Sequence, residues 1–198
     1  MPEQTNASNR PAGQNESAQP FLTDVKTLRD RARRHIEEGP VTPSYHANRE
    51  VVLKLLNASL ATELVCVLRY KRHYFMAEGL LAETASAEFK EHAEQEQEHA
   101  DRIAERIVQL GGEPEFSPVG MLDRSHSEYK PGTSLVDMIQ EDLIAERIAV
   151  DSYREIIQYL GDKDSTTRRM FEEILAVEEE HADDMASLLK AIPAASRQ

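Results

Sequence analysis

Two short segments of this 198-residue chain carry a carboxylate and an imidazole at helical spacing. Glu96-Gln-Glu-His99 recurs as Glu178-Glu-Glu-His181, each followed by Ala-Asp. Residues at i and i+3 project from one helix face, so each pair offers an oxygen and a nitrogen ligand side by side. Upstream, Leu60-Ala-Thr-Glu63 parallels Leu143-Ile-Ala-Glu146, and a tyrosine stands seven positions after each glutamate, at Tyr70 and Tyr153. Burying four carboxylates and two imidazoles unpaired costs several kcal/mol for each ion. Two divalent cations would neutralise them, and mixed oxygen and nitrogen donors with shared carboxylates suit iron or manganese.

A glutamate-rich stretch such as 88–105 is ordinarily a solvated face, and one Glu-x-x-His within it would carry little weight. Here there are two. Glu63 precedes Glu96 by 33 positions and Glu146 precedes Glu178 by 32. The earlier glutamate of each set is embedded among apolar neighbours: Leu60, Leu64 and Val65, or Leu143, Ile144 and Ile148. In an antiparallel helix pair two residues share a level when the turn falls midway between them. Those midpoints are Gly79–Leu80 and Asp162, both at the sequence's own turn signals. Each level then lies about 25 Å from its turn.

The elements that position these residues are legible from periodicity and punctuation. Ala, Leu, Glu, Arg and Ile dominate from about residue 48, a usage that favours helix. Four long helices are expected over about 45–78, 84–110, 134–161 and 165–190. Gly111-Gly112 suits a left-handed C-terminal cap and Ser134 is a good N-cap. The connection over 111–133, with three prolines and four glycines, is too long for a helix hairpin and suits a crossover along a bundle. Residues 1–22, rich in Asn, Gln, Ser, Pro and Ala, read as a flexible tail, and 193–198 as a short C-terminal tail. Residues 23–44 are expected to hold a short helix (24–38) and a linker, the helix docking on the bundle through Val25, Leu28, Ala32 and Ile36. The bundle itself spans 45–192.

Net charge is −13, which disfavours a nucleic-acid coat and suits attraction of cations. Cys66 is the single cysteine, so no intrachain disulfide or Cys-x-x-Cys clip exists, and its apolar surroundings predict an inert core thiol. With neither a secretory leader nor a run of about 20 apolar residues, no membrane is expected and the cytoplasm is the simplest compartment. Among the other histidines, His92 lies seven positions before His99 and reads as a surface residue, with accessory ligation the lesser alternative. His35, His46, His73 and His126 have no partner at motif spacing and read as structural or solvated. Asp142, one turn before Glu146, is expected to orient a ligand histidine through its second nitrogen.

At the Glu63, Glu96-x-x-His99, Glu146, Glu178-x-x-His181 order, over about residues 45–190, the chain resembles the ferritin-like superfamily, and within it bacterioferritin and Dps-like proteins with a bacterioferritin-type site. The resemblance implies an all-α, up-down-down-up four-helix bundle with a long crossover between its second and third helices and, here, an N-terminal extension. It implies Glu96 and Glu178 as bridging carboxylates, Glu63 with His99 on one metal and Glu146 with His181 on the other. Tyr70 matches the aromatic residue beside such sites. Bacterioferritin's haem ligand is a Met at the position of Gln97, so haem is not expected. Its fifth helix is missing after Lys190, which favours a 12-subunit shell over one of 24. The cysteine pair of some relatives cannot be supplied by Cys66, and a rubrerythrin-type extra glutamate is replaced by Ala149.

The function these features imply is ferroxidation with iron storage or detoxification. Two Fe per subunit, with Mn or Zn as substitutes, would be oxidised by O2 or H2O2 within a hollow homo-oligomer. Two alternatives stand beside it. One is a non-storing dimetal peroxidase or catalase-like protein. The other is a Dps-like shell that shields DNA, with Arg29, Arg31, Arg33 and Arg34 supplying local positive charge against an acidic body.

Overall fold

A computed structural model describes residues 23–79 and 81–193. The described chain is all helical, with elements α1 (Val25–Ala32), α2 (Arg49–Met76), α3 (Ala82–Gln109), α4 (Met121–Arg124), α5 (Leu135–Leu160) and α6 (Ser165–Ala191). Helices α2, α3, α5 and α6 form a four-helix bundle, α2 pairing mainly with α3 and α5 with α6. The tail expected at 1–22 lies outside the described residues, as does the tail expected at 193–198 apart from Pro193.

Local chemistry sets the helix ends. The Asn48 side chain accepts from the Val51 amide, Ser134 from Asp137 and Asp164 from Thr167, satisfying amides that a first turn leaves unpaired. Gly111, at φ 72°, turns α3 off, and the Gly111 and Gly112 amides return to Val108 and Ile107 carbonyls. Helix α2 begins at Arg49 rather than near 45, because Tyr45 is spent elsewhere: its hydroxyl donates to Asp164 Oδ2 at 2.9 Å, tying the entering chain to the start of α6. The segment expected as one docking helix divides into α1 and a 3-10 turn (Ile36–Glu38), separated by His35 at φ 51°. It buries none of its residues. Val25, Leu28 and Ile36 are all exposed, so this segment does not dock on its own bundle.

The crossover runs beside α2 and is pinned by that helix's polar side chains. Asn57 Oδ1 accepts from the Glu115 amide, Thr62 Oγ1 from the His126 amide, Arg69 donates to the Glu128 carbonyl and His73 Nε2 meets that of Lys130. Helix α2 is long and apolar enough by composition to cross a membrane. Here it packs within the bundle, burying Glu63, Arg69 and His73 alongside its aliphatic residues.

The core falls into two apolar blocks. One takes Val52, Leu56 and Leu60 from α2, Ile103 and Ile107 from α3, Ile156 from α5 and Phe171 and Ile174 from α6. The other takes Tyr70, Phe89, Ile139, Met185 and Leu188 from the same four helices in turn. On every helix the boundary between the blocks falls at the same places: 61–69 on α2, 94–99 on α3, 140–148 on α5 and 175–184 on α6. Glu63, Glu96, His99, Glu146, Glu178 and His181 all lie in those intervals.

Candidate metal centre

All six residues singled out from the sequence converge there, and none is more than 3 % exposed. Their ligand atoms form two groups: Glu63, Glu96, His99 and Glu178, and Glu96, Glu146, Glu178 and His181. Glu96 and Glu178 belong to both. His99 Nδ1 lies 3.6 Å from Glu63, 3.5 Å from Glu96 and 3.0 Å from Glu178. His181 Nδ1 lies 3.5 Å from Glu96, 3.9 Å from Glu146 and 3.7 Å from Glu178.

Each outer glutamate is steadied by the tyrosine of the other half. Tyr70, on α2, donates to Glu146 Oε1 at 2.5 Å, and Tyr153, on α5, donates to Glu63 Oε1. The repeated Glu-x6-Tyr spacing therefore makes a reciprocal latch across the bundle. Burial and the adjacent glutamate charge push both phenols well above their usual range, so they remain donors. Behind His181, Nε2 stands 2.7 Å from Gln95 Oε1; the ring donates there and turns the lone pair of Nδ1 inward.

The inner atoms have no such partners. Glu96 Oε1 and Oε2, Glu178 Oε1 and Oε2, Glu146 Oε2, His99 Nδ1 and His181 Nδ1 are buried without a hydrogen bond. Buried polar groups are rarely left so, and a cluster of them aimed at one another is the donor set a cation pair requires. The protein without metal must hold protons instead. Burial, then the charge of Glu96, pushes Glu178 up to about 7 and Glu63 well above the carboxylate range. Burial works against charge on Glu96 too, yet the proton on Glu63 and both imidazoles hold it well below. His99, despite burial, is pushed up to about 12 by the carboxylates of Glu178, Glu63 and Glu96.

A family model described as a ferritin-like domain matches residues 53–195. The chain belongs to that family. A bacterioferritin from Mycobacterium avium is 33 % identical over 144 residues, covering 70 % of this chain and 84 % of the relative. A nutrient stress-induced DNA-binding protein from Nostoc is 32 % identical over 139 residues, covering 68 % and 74 %. Among solved structures, a dodecameric thioferritin, the bacterioferritin-related protein of Bacteroides fragilis, superposes with a TM-score of 0.71 at 32 % identity, covering 73 % of this chain and 88 % of that one.

Within this ferritin-like frame two expectations are corrected. Asp142 does not orient a ligand histidine. It lies four residues before Glu146 and faces α2, where its oxygens meet Arg69 Nε at 2.7 Å and His73 Nδ1 at 2.8 Å. His92 is not a surface residue. It is 2 % exposed, its ring stacks on His181 at 3.9 Å between centroids, and Nδ1 lies 3.2 Å from the Tyr70 hydroxyl. Its place on the row Glu88, His92, Glu96, His99 was the available signal, and the charge density of that helix obscured it. Gln95 left no signal at all, since its contact depends on how α6 is rotated against α3. Cys66 is buried and desolvation pushes its thiol up, against the opposing charge of Arg69, whose Nη2 donates to Sγ at 3.5 Å.

Proposed function

We propose that the chain is a ferroxidase that binds two ferrous ions between Glu63, Glu96, His99, Glu146, Glu178 and His181 and oxidises them with O2 or H2O2. The ferric product would collect inside a hollow, cytoplasmic homo-oligomer of twelve subunits. The observation that carries this reading is the set of seven buried, unpartnered donor atoms in two overlapping groups. A ferrous pair supplies two electrons, enough to reduce H2O2 to water or O2 to H2O2. Manganese or zinc, taking similar ligands, would occupy the site as substitutes.

The protein's own part is positioning and charge. Glu96 and Glu178, whose oxygens make no hydrogen bond, would be shared between the two ions. Glu63 with His99 would complete the ligands of one, and Glu146 with His181 those of the other. Tyr153 and Tyr70 hold the outer oxygens of Glu63 and Glu146, so each of these glutamates turns its second oxygen inward. An all-carboxylate and imidazole set stabilises the higher ferric charge. Twelve subunits are favoured by the likeness to the dodecameric Bacteroides fragilis protein. The decisive test is rapid mixing of ferrous iron with wild type, Glu96→Ala and His181→Ala. Fast oxidation is expected in the wild type alone, and wild-type rates in both variants would refute the reading.

A non-storing dimetal peroxidase is separated by size and loading: a dimer holding no more than about two metals per chain would replace the storage shell. A DNA shield draws support from the Nostoc relative's name, against a net charge of −13. A gel shift at low salt, with and without residues 1–38, decides it.

A further inference from the structure

One turn beyond the dimetal centre, the same faces of α3 and α6 carry a second ligand constellation. Glu88 and His92 are four residues apart on α3, and Asp184 follows His181 by three on α6. His92 Nε2 stands 3.8 Å from Glu88 Oε2 and 3.6 Å from Asp184 Oδ2. Neither is a hydrogen bond. The two carboxylate side chains are 34 % and 42 % exposed, whereas the His92 side chain is 2 % exposed. The constellation thus opens outward from a buried imidazole.

The hydrogen-bond network determines which way that imidazole faces. The Tyr70 hydroxyl spends its proton on Glu146, so at His92 it accepts, and Nδ1 donates. Nε2 is then left with its lone pair directed between two carboxylates. Three electron-rich atoms facing one another, one of them on a buried ring, make a ready seat for a cation. Atoms bound about 2.1 Å from one cation, at angles of about 90–110°, stand about 3.0–3.5 Å apart. The 3.6 and 3.8 Å separations come within a small side-chain adjustment of that, and inside the 3.0–3.9 Å spread of the central ligands.

We infer that Glu88, His92 and Asp184 form a third cation site, which takes a divalent first-row transition ion at the outer end of the dimetal centre. One nitrogen and two carboxylate oxygens select such an ion over calcium or magnesium, which take oxygen alone. Three protein ligands leave positions for water, so the ion stays exchangeable. Its innermost ligand stacks on His181, a ligand of the proposed centre, which places it where an incoming ion is held before it moves inward. That staging role rests on the dimetal reading; the site itself does not.

The test is anaerobic titration of the full-length assembled protein with Co(II), followed by visible absorption, together with anomalous diffraction from cobalt-loaded crystals. The expected result is three cobalt ions per chain, with peaks at both central positions and at the outer triad. In the Glu88→Gln, Asp184→Asn double variant the third equivalent and its peak are lost and the central two remain. These replacements preserve shape at half-exposed positions, and the wild-type diffraction stands without them. Central peaks with no outer density overturn the third site and leave the dimetal reading intact. An outer peak with an empty centre sustains the third site and sinks the dimetal reading. Cobalt at neither place, or an outer peak undiminished in the double variant, overturns the third site.

Discussion

Two clusters of buried charge stand about a turn apart in this bundle, and they resolve their burial differently. Around Asp142, one oxygen receives Arg69 at 2.7 Å and the other His73 at 2.8 Å. Arg69 also donates to the Glu128 carbonyl, and His73 reaches that of Lys130. Every charge there has a protein partner. Around Glu96 and Glu178, four carboxylates meet two imidazoles at 3.0–3.9 Å, and seven of their inner atoms make no hydrogen bond. Depth of burial is the same in both places. What separates them is residual need: the first cluster closes on itself and fastens the crossover to α2 and α5, while the second keeps buried acceptors that the proposed cations would complete.

The sharpest way to break this comparison is to remove one member from each cluster. Asp142→Ala leaves the Arg69 guanidinium buried and unpaired, which costs about 3–5 kcal/mol. For a chain of this size that lowers the melting temperature by roughly 6–20 °C, read by calorimetry or circular dichroism. Glu96→Ala takes a carboxylate from a centre that already has too many. Its metal-free melting temperature is expected within a few degrees of wild type. Its ferrous oxidation rate is expected to fall by at least about 100-fold, because even residues that only support metal ligands are worth 10–100-fold. A large melting loss in Glu96→Ala with none in Asp142→Ala would invert the assignment of roles.

The sequence made the levels legible and left the rotations hidden. Caps at Ser134 and Gly111-Gly112 and the turn at Asp162 are written in residue types, so helix ends fell within a few residues of their places. The equal distances of Glu63, Glu96, Glu146 and Glu178 from their turns follow from helical rise alone, and the structure sets all four at one depth. Which way a side chain faces at that depth depends on how four helices are rotated about their axes, and no spacing encodes it. Hence spacing places Asp142 as a support of the centre although it faces Arg69, and His92 on the surface although it stacks on His181. The start of α2 is equally hidden, because Tyr45 is claimed by Asp164, 119 residues away.

Acidity sharpens the contrast further. In the metal-free chain Glu178 is pushed up to about 7 from an ordinary 4.5, so the folded state holds its proton more tightly than the unfolded one. The stability this proton confers is present in acid and lost as pH rises through about 7. His99, raised from 6.5 to about 12, acts in the same sense from about pH 6.5 upward. Metal-free protein is therefore expected to melt lower at pH 8 than at pH 5.5. A cation pair at the proposed centre would displace those protons, so the stabilisation given by added metal is expected to grow with pH. Melting curves at both values, with chelator and with Zn(II), measure the two slopes; parallel slopes would mean that the cluster is not the ion site.

The smallest effect separates the two halves of the centre itself. His181 has Gln95 behind its outer nitrogen, and no equivalent contact holds His99 among the described residues. Gln95→Leu keeps the volume and removes the acceptor, freeing the ring to turn and to change tautomer. The ion on Glu146 and His181 should weaken by roughly tenfold, at the low end for such supporting partners, while the ion on Glu63 and His99 keeps its affinity. A cobalt titration would then show one central equivalent shifted and one unmoved. If both shifted together, the shared carboxylates Glu96 and Glu178 would be coupling the positions so tightly that the centre binds its cations as a unit.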